Sequence, residues 1–320
     1  MNPTQNPVII LTGFLGSGKT TILQKMLAAE HYGDTAVLIN EFGEVGIDQQ
    51  LVAPISPNVV LLDSGCLCCQ IRGELKDSLV GLLDARAQKQ VPPFKRIVIE
   101  TTGLAEPTPI IATIQADPLL THQLRVERTV TVVDAVNGNE MAQSGNQVWT
   151  QQVSAADIIL IAKTDLAPEA AAQLETRFAA MLPGVTVLRH GLNDPLPDFN
   201  ALPAATHPKD VGYRPQNITS HGGVHSLAFS ISQPVDWTAF GVWLSALLHV
   251  HGRSILRIKG ILNIGEEYPV LINGVQHMIY PPQHLSEWPH EPHDSQLVII
   301  MTGLEAGRVE ASFRRYVLEV

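Results

Sequence analysis

Cysteine is nearly missing from this chain: three residues in 320, all of them between Cys66 and Cys69. One such cluster cannot form a network of structural disulfides. In a reducing compartment it points to metal or redox chemistry. Aromatic residues are also few, at 5%. An excess of positive charge is absent, since 21 basic residues stand against 31 acidic ones for a net −10, which argues against a broadly basic nucleic-acid-binding surface. No apolar run reaches the ~18–20 residues that span a bilayer. The opening Met-Asn-Pro-Thr-Gln-Asn-Pro has no basic start leading into an apolar stretch, so the cytoplasm is the expected compartment and neither membrane nor nucleic acid is an expected partner. Internal repeats and low-complexity tracts are not visible. What the chain does have is apolar material, at 45% hydrophobic residues, which excludes wholesale disorder. Its length suits about two domains.

The first part alternates continuous apolar runs with amphipathic stretches. Val8–Leu11, Ala36–Ile39, Val59–Leu62, Ile97–Ile99, Val130–Val133, Ile158–Ile161 and Val185–Leu188 read as strands. Ile22, Leu23, Met26 and Leu27 recur at helical spacing, as do Leu75, Leu79, Leu82 and Leu83, and Ala170–Met181 reads as a further helix. Apolar strands separated by helices predict an α/β domain with a mostly parallel sheet covered on both faces, over residues 1–200. A segment rich in Pro, Gly, Asn and His follows, and 201–223 is read as a linker. Residues 224–320 predict a smaller α+β domain. Its strands lie at 226–231, 255–264, 270–272, 278–280 and 297–301. Asp236 is placed to cap a helix carrying Trp237, Phe240, Leu244, Leu247 and Leu248, and a last helix starts near Glu305. Trp237, Trp243 and Trp288 are read as core, with residues of an interaction surface as the alternative.

Gly13-Phe14-Leu15-Gly16-Ser17-Gly18-Lys19-Thr20 fits the GxxxxGKT phosphate-binding loop, with a strand before it and a helix after it. Glycine at Gly13, Gly16 and Gly18 lets backbone N–H groups converge on phosphate oxygens, and the helix presents its positive end to the anion. Lys19 is expected to reach the β- and γ-phosphates and Thr20 to give its hydroxyl to Mg²⁺. Ser17 and Thr21 complete the expected contacts of the loop. Glu100-Thr101-Thr102-Gly103 closes a later strand. Glu100 is the candidate acid that holds Mg²⁺ through water, and Gly103 is the candidate for a backbone N–H near the γ-phosphate. Lys19 and Glu100 are thus the residues assigned to catalysis. Ala162-Lys163-Thr164-Asp165 approximates the guanine-recognition tetrapeptide NKxD. The Asp165 carboxylate would accept from guanine's N1–H and exocyclic amine, which adenine does not offer in that geometry, and the Lys163 stem would lie along the base. Ala162 occupies the place of a loop-bracing Asn.

Gly65-Cys66-Leu67-Cys68-Cys69 follows the third strand. Three soft thiolates on one short loop suit Zn²⁺, Cu(I) or Co²⁺, with a fourth ligand from elsewhere. Buried small residues or a redox function are the alternatives. Between the phosphate loop and this cluster lies Asn40–Asp48, at the position of a nucleotide-dependent switch. Its acids Glu41 and Glu44 are candidates to lend a metal ligand in one nucleotide state, Glu44 being the one carried into the metal site; solvent-facing acids are the alternative. The twelve histidines form no compact metal-binding tract.

TGFLGSGKTT, NEFGEVGID, GCLCC, IETTGLAEP and AKTD in the first domain, and LRIKGIL at 256–262 in the second, together resemble the CobW family of P-loop GTPases. The resemblance spans nearly the whole chain. It implies GTP binding, slow hydrolysis, and delivery of zinc or cobalt from Cys66, Cys68 and Cys69 to a client metalloprotein. Two positions depart from the family pattern: Ala162, and Ile39, where some members carry an acid. The alternatives to a metallochaperone are a GTP-regulated scaffold or activator holding a structural zinc, and an ATP-dependent small-molecule kinase. Asp165 argues against the last of these.

Overall fold

The computed structural model describes residues 5–39, 60–63, 71–202, 223–289 and 291–319. Cys66, Cys68, Cys69, Glu41, Glu44 and nearly all of the expected linker lie outside the described residues. The described residues form two sheets, one in each part of the chain.

The first sheet has seven parallel strands: β1 (Asn6–Thr12), β2 (Thr35–Ile39), β3 (Val60–Asp63), β4 (Arg96–Glu100), β5 (Leu124–Asp134), β6 (Ile158–Ala162) and β7 (Thr186–His190). Their order is β3-β2-β4-β1-β5-β6-β7, so the strand that feeds the phosphate-binding loop is central. Helices follow as α1 (Lys19–Ala28), α2 (Ile71–Ala87), α3 (Thr108–Ala116), α4 (Pro118–Gln123), α5 (Gly138–Gln143), α6 (Gln147–Ser154) and α7 (Pro168–Met181). The lack of polar alternation in the strands has a direct cause. Ile9, Leu11, Val37, Ile39, Val98, Val130, Val132, Ile158 and Leu160 pack on one face against Ile22, Leu23, Met26 and Leu27 of α1. The intervening Val8, Ile10, Ile97, Ile99 and Ile159 are equally buried on the other face. Deleting a side chain such as Leu23 would cost about 2–5 kcal/mol.

All strands run the same way, so the loops after β1, β4, β5, β6 and β7 leave from one edge of the sheet. In an open parallel sheet, ligands bind at the carboxyl ends of the strands.

In the second part, β8 (Val224–Ile231), β9 (Ile255–Leu262), β10 (Val270–Val275), β11 (Met278–Ile279), β12 (Gln283–His284) and β13 (Ser295–Thr302) form an antiparallel sheet along the path β11-β10-β9-β13-β8, with β12 also on β10. Helices α8 (Trp237–His251) and α9 (Ala306–Phe313) cover one face. Phe240, Trp243, Leu244, Leu247, Val309 and Phe313 meet Leu227, Phe229, Ile258, Ile272, Leu297 and Ile299. Asp236 caps α8, accepting from Ala239 N at 2.7 Å, and Glu305 is the residue before α9.

Two core expectations need correction. Trp237 is 40% exposed, because it is the first residue of α8, where it stacks on Phe240 at 6.1 Å. Trp288 is half-buried, stacked on His293 at 4.6 Å and donating to Glu267 O. Trp243 alone of the three is core.

Candidate functional site

The phosphate-binding loop is shaped by a close approach. At Gly13, φ is +144° and a Cβ would lie 2.3 Å from the Val132 carbonyl oxygen, so any side chain there would force two strands apart. Gly16 and Gly18 also have positive φ, and Gly18 leads into α1 without a side-chain cap. No acidic residue of the helix itself lies in its first turn, so the positive end of its dipole is not offset from within the helix, which suits an anion. Ser17 is buried and its amide bonds Phe14 O at 3.2 Å. Lys19 folds back over the loop, its Nζ donating to Gly13 O at 2.9 Å and Phe14 O at 3.3 Å. An ammonium held on carbonyls at the mouth of an amide-lined loop is poised to transfer to phosphate oxygens. Thr21 is exposed on the first turn of α1.

Thr20 meets Glu100. The threonine hydroxyl donates to Glu100 Oε1 at 2.9 Å, and Glu100 is only 4% exposed. The strand ends are joined beside this contact: Thr101 N bonds Leu11 O at 3.0 Å and Thr101 Oγ1 donates to Thr12 Oγ1 at 2.9 Å. A hydroxyl and a carboxylate side by side at the phosphate cradle form the hard-oxygen donor pair that suits Mg²⁺. Three residues on, Gly103 lies against the phosphate loop itself. A Cβ there would be 2.7 Å from Leu15 N and 2.8 Å from Leu15 Cα. The loop after β4 is braced from behind by Gln152 of α6, fully buried, whose amide donates to Gly103 O at 3.1 Å and Ala105 O at 2.9 Å.

The loop after β6 approaches from the other side. Lys163 has φ +59°, a strained conformation for a residue with a side chain. Its Nζ donates to Gly16 O at 2.8 Å and pairs with Asp134 at 2.7 Å. Asp134 ends β5 and also accepts from Val136 N and from the Asn137 amide. Asp165 Oδ1 accepts from Leu192 N at 3.1 Å. Between these groups lies a cavity of about 240 Å³, lined by Gly18, Thr21 and Lys25 of the phosphate-loop helix, by Ala162, Lys163 and Asp165, and by His190–Leu192. Burial, then the nearby Lys25 ammonium, hold the His190 imidazole below the ordinary histidine range.

The two motif loops and the Glu100 loop therefore converge on one edge of one sheet. Residues 7–189 match the family described as CobW/HypB/UreG, nucleotide-binding domain, and residues 224–317 match the cobalamin synthesis protein CobW C-terminal domain. The chain belongs to the CobW family. It is 35% identical over 319 residues to the zinc chaperone YjiA of Escherichia coli, covering 98% of each chain. It is 31% identical over 309 residues to the zinc chaperone CobW of Pseudomonas aeruginosa, covering 84% of this chain and 80% of that one. The crystal structure of Zn(II)-bound YjiA GTPase superposes with a TM-score of 0.75 at 27% identity, covering 99% of both chains.

In this CobW-family chain the structure brings Lys19, Thr20, Glu100 and Gly103 to one end of the site and Lys163 and Asp165 to the other. Four participants carry no motif: Lys25, Asp134, Gln152 and the His190–Leu192 loop. Asp134 has a visible signal, an acid closing the apolar run Val130–Val133. Lys25 and Gln152 are single polar residues on helices and have none. Among the described residues, no group of three or more His, Cys, Asp and Glu side chains gathers as a metal site, and no helix is long and apolar enough to cross a membrane.

Proposed function

We propose that this chain is a GTPase whose nucleotide state controls its hold on a divalent transition metal, zinc or cobalt, which it delivers to a client metalloprotein. The observation that carries the reading is a register. Ile39 at the end of β2 is paired with Glu100 of β4 on one side and with Asp63 of β3 on the other. The switch candidate begins at Asn40, the next residue, and Cys66 comes three residues after Asp63. β2 and β3 therefore end level with Glu100, the end of β3 two strands away, which is about 10 Å at ordinary strand spacing. That register gives a change at the γ-phosphate a short path to the strand ends from which the two segments continue in sequence.

Lys19 and the loop amides bind the phosphates and stabilise the charge that develops on phosphoryl transfer. Thr20 and Glu100 are the groups that would hold Mg²⁺, the latter through water; when bound, the ion neutralises charge on the β- and γ-phosphate oxygens. Gly103 N–H lies on the segment pressed against the phosphate loop. Asp165 selects guanine and Lys163 packs its stem along the base while tying the loop after β6 to Gly16. Cys66, Cys68 and Cys69 supply the thiolates, with Glu44 as the candidate switch ligand. The cytoplasm, where thiolates stay reduced, is the compartment in which such a site can load and release. The names of the YjiA and Pseudomonas CobW relatives, both zinc chaperones, support zinc as the first metal to test.

The test is anaerobic purification, loading with a non-hydrolysable GTP analogue and Zn²⁺ or Co²⁺, and elemental analysis. The wild type is expected to retain one tightly held metal per chain, and the combined Cys66→Ser, Cys68→Ser, Cys69→Ser variant none. Equal retention by both would overturn the assignment.

A further inference from the structure

One lysine of the phosphate-loop helix grips the loop after β7 at several points. Lys25 stands six residues after Lys19 on α1, and its Nζ lies 2.9 Å from His190 Nε2 and 3.3 Å from Gly191 O. It also donates to Leu192 O and reaches Asp194 O at 3.5 Å. An ammonium has three protons to give and no lone pair to accept with, so His190 meets it through an unprotonated Nε2, as the neutral imidazole with its proton on Nδ1. His190 is 3% exposed, which favours the same uncharged form. Two carboxylates also grip the loop: Asp194 Oδ2 accepts from Gly191 N at 2.6 Å and Asp165 Oδ1 from Leu192 N at 3.1 Å. Leu192 is therefore held at both of its backbone polar groups, its carbonyl by Lys25 and its amide by Asp165.

This arrangement bears on base recognition because Ala162 contributes only a methyl group where an Asn would brace the loops. Lys25 lines the same cavity as Ala162. We infer that Lys25 is the positioning residue of the base pocket: by fixing the Gly191–Leu192 backbone it sets where the Asp165 carboxylate lies and so how well the pocket discriminates guanine. The inference rests on the reading, proposed above, that the cavity beside Lys163 and Asp165 takes the base. It adds that the phosphate-loop helix also controls the fit of the base, through one side chain that lines the same cavity.

The experiment uses the full chain, with GTP, ITP and XTP as substrates and GDP as the binding probe. ITP lacks the exocyclic amine of guanine, and XTP presents a carbonyl there. Lys25→Met keeps the stem and removes the ammonium. It is expected to raise the GTP KM and the GDP Kd about tenfold, the scale of hydrogen bonds to a charged group, with kcat within about twofold. It is also expected to shrink the preference for GTP over ITP, and Lys25→Arg to recover part of both effects. A purely structural lysine would lower activity toward GTP and ITP alike. Should Lys25→Met not fold, Lys25→Gln, which still donates to one carbonyl, is read in the same way. Asp165→Asn separates the two layers of the argument. If it fails to shift preference from GTP toward XTP, the base-pocket reading falls. If it does shift preference while the Lys25 variants keep the wild-type KM and the wild-type GTP-to-ITP ratio, the assignment of Lys25 is overturned.

Discussion

Thr20 and Glu100, eighty positions apart, share a hydrogen bond of 2.9 Å at the phosphate cradle. One comes from the first turn of α1 and the other from the last residue of β4, so the bond exists only because β4 lies directly beside β1. Glu100→Gln keeps the size and an acceptor for Thr20 but removes the charge. The Mg²⁺ concentration that half-saturates GTP hydrolysis is expected to rise about 10–100-fold, as for other supporting ligands of metal sites. The melting temperature should stay close to wild type. An unchanged Mg²⁺ midpoint would remove Glu100 from the site.

Gly103 predicts a different failure. An added methyl at this position meets backbone atoms of Leu15, which cannot rotate away. Gly103→Ala must push the loop after β4 off the phosphate loop, an overpacking that costs about 1–3 kcal/mol. GDP affinity, measured by calorimetry, is expected to fall severalfold and GTP turnover further. Wild-type affinity in this variant would show that the contact is not needed for nucleotide binding.

Gln152 supports the same loop from its far side. Gln152→Met preserves volume and deletes both amide donations, leaving the Gly103 and Ala105 carbonyls without them. Urea unfolding should show a loss of about 1–3 kcal/mol. Turnover should drop as well, because the loop loses its brace. A stable variant with lowered turnover would still place Gln152 in control of the loop, whereas full turnover would deny it that role.

These four residues mark what the sequence made readable and what it did not. The phosphate loop is a consecutive string, and its spacing carries its chemistry; the Glu100 and Lys163–Asp165 segments stand at the ends of apolar runs that announce themselves as strands. The parallel sheet was legible for the same reason, through runs such as Val8–Leu11 and Ile158–Ile161 that are apolar at every position. Helix α3 was not: six residues of Thr108–Ala116 are buried, so it has no polar face and no helical period. Lys25 meets His190 across 165 positions of chain, and Gln152 meets Gly103 across 49. Contacts of that kind follow from the packing of the sheet, and nothing local to either residue encodes them. Trp237 erred in the other direction: its spacing places it on the buried face of α8, but the start of the helix leaves it exposed.

His190 predicts a dependence on pH. Burial and the Lys25 ammonium hold its imidazole below the ordinary value, while Asp194 and Asp165 act in the opposite sense. The unfolded chain therefore binds this proton more readily than the folded one, and folded stability rises with pH across that window. The contribution is fully present above about pH 6.5 and is lost as pH falls through the lower folded-state value. Melting temperatures taken between pH 5 and 8 should decline on the acid side in the wild type, and decline less in His190→Gln. Parallel curves for the two proteins would show that His190 does not contribute to the acid sensitivity.

The central claim is that a third phosphate tightens the hold on metal, and competition of the purified chain with a chromophoric chelator for Zn²⁺ measures it directly, once with a non-hydrolysable GTP analogue bound and once with GDP. The account predicts Zn²⁺ binding at least about tenfold tighter in the triphosphate state, matched by an equal gain in the preference for the analogue over GDP when zinc is present. Identical zinc affinities in the two nucleotide states would contradict it.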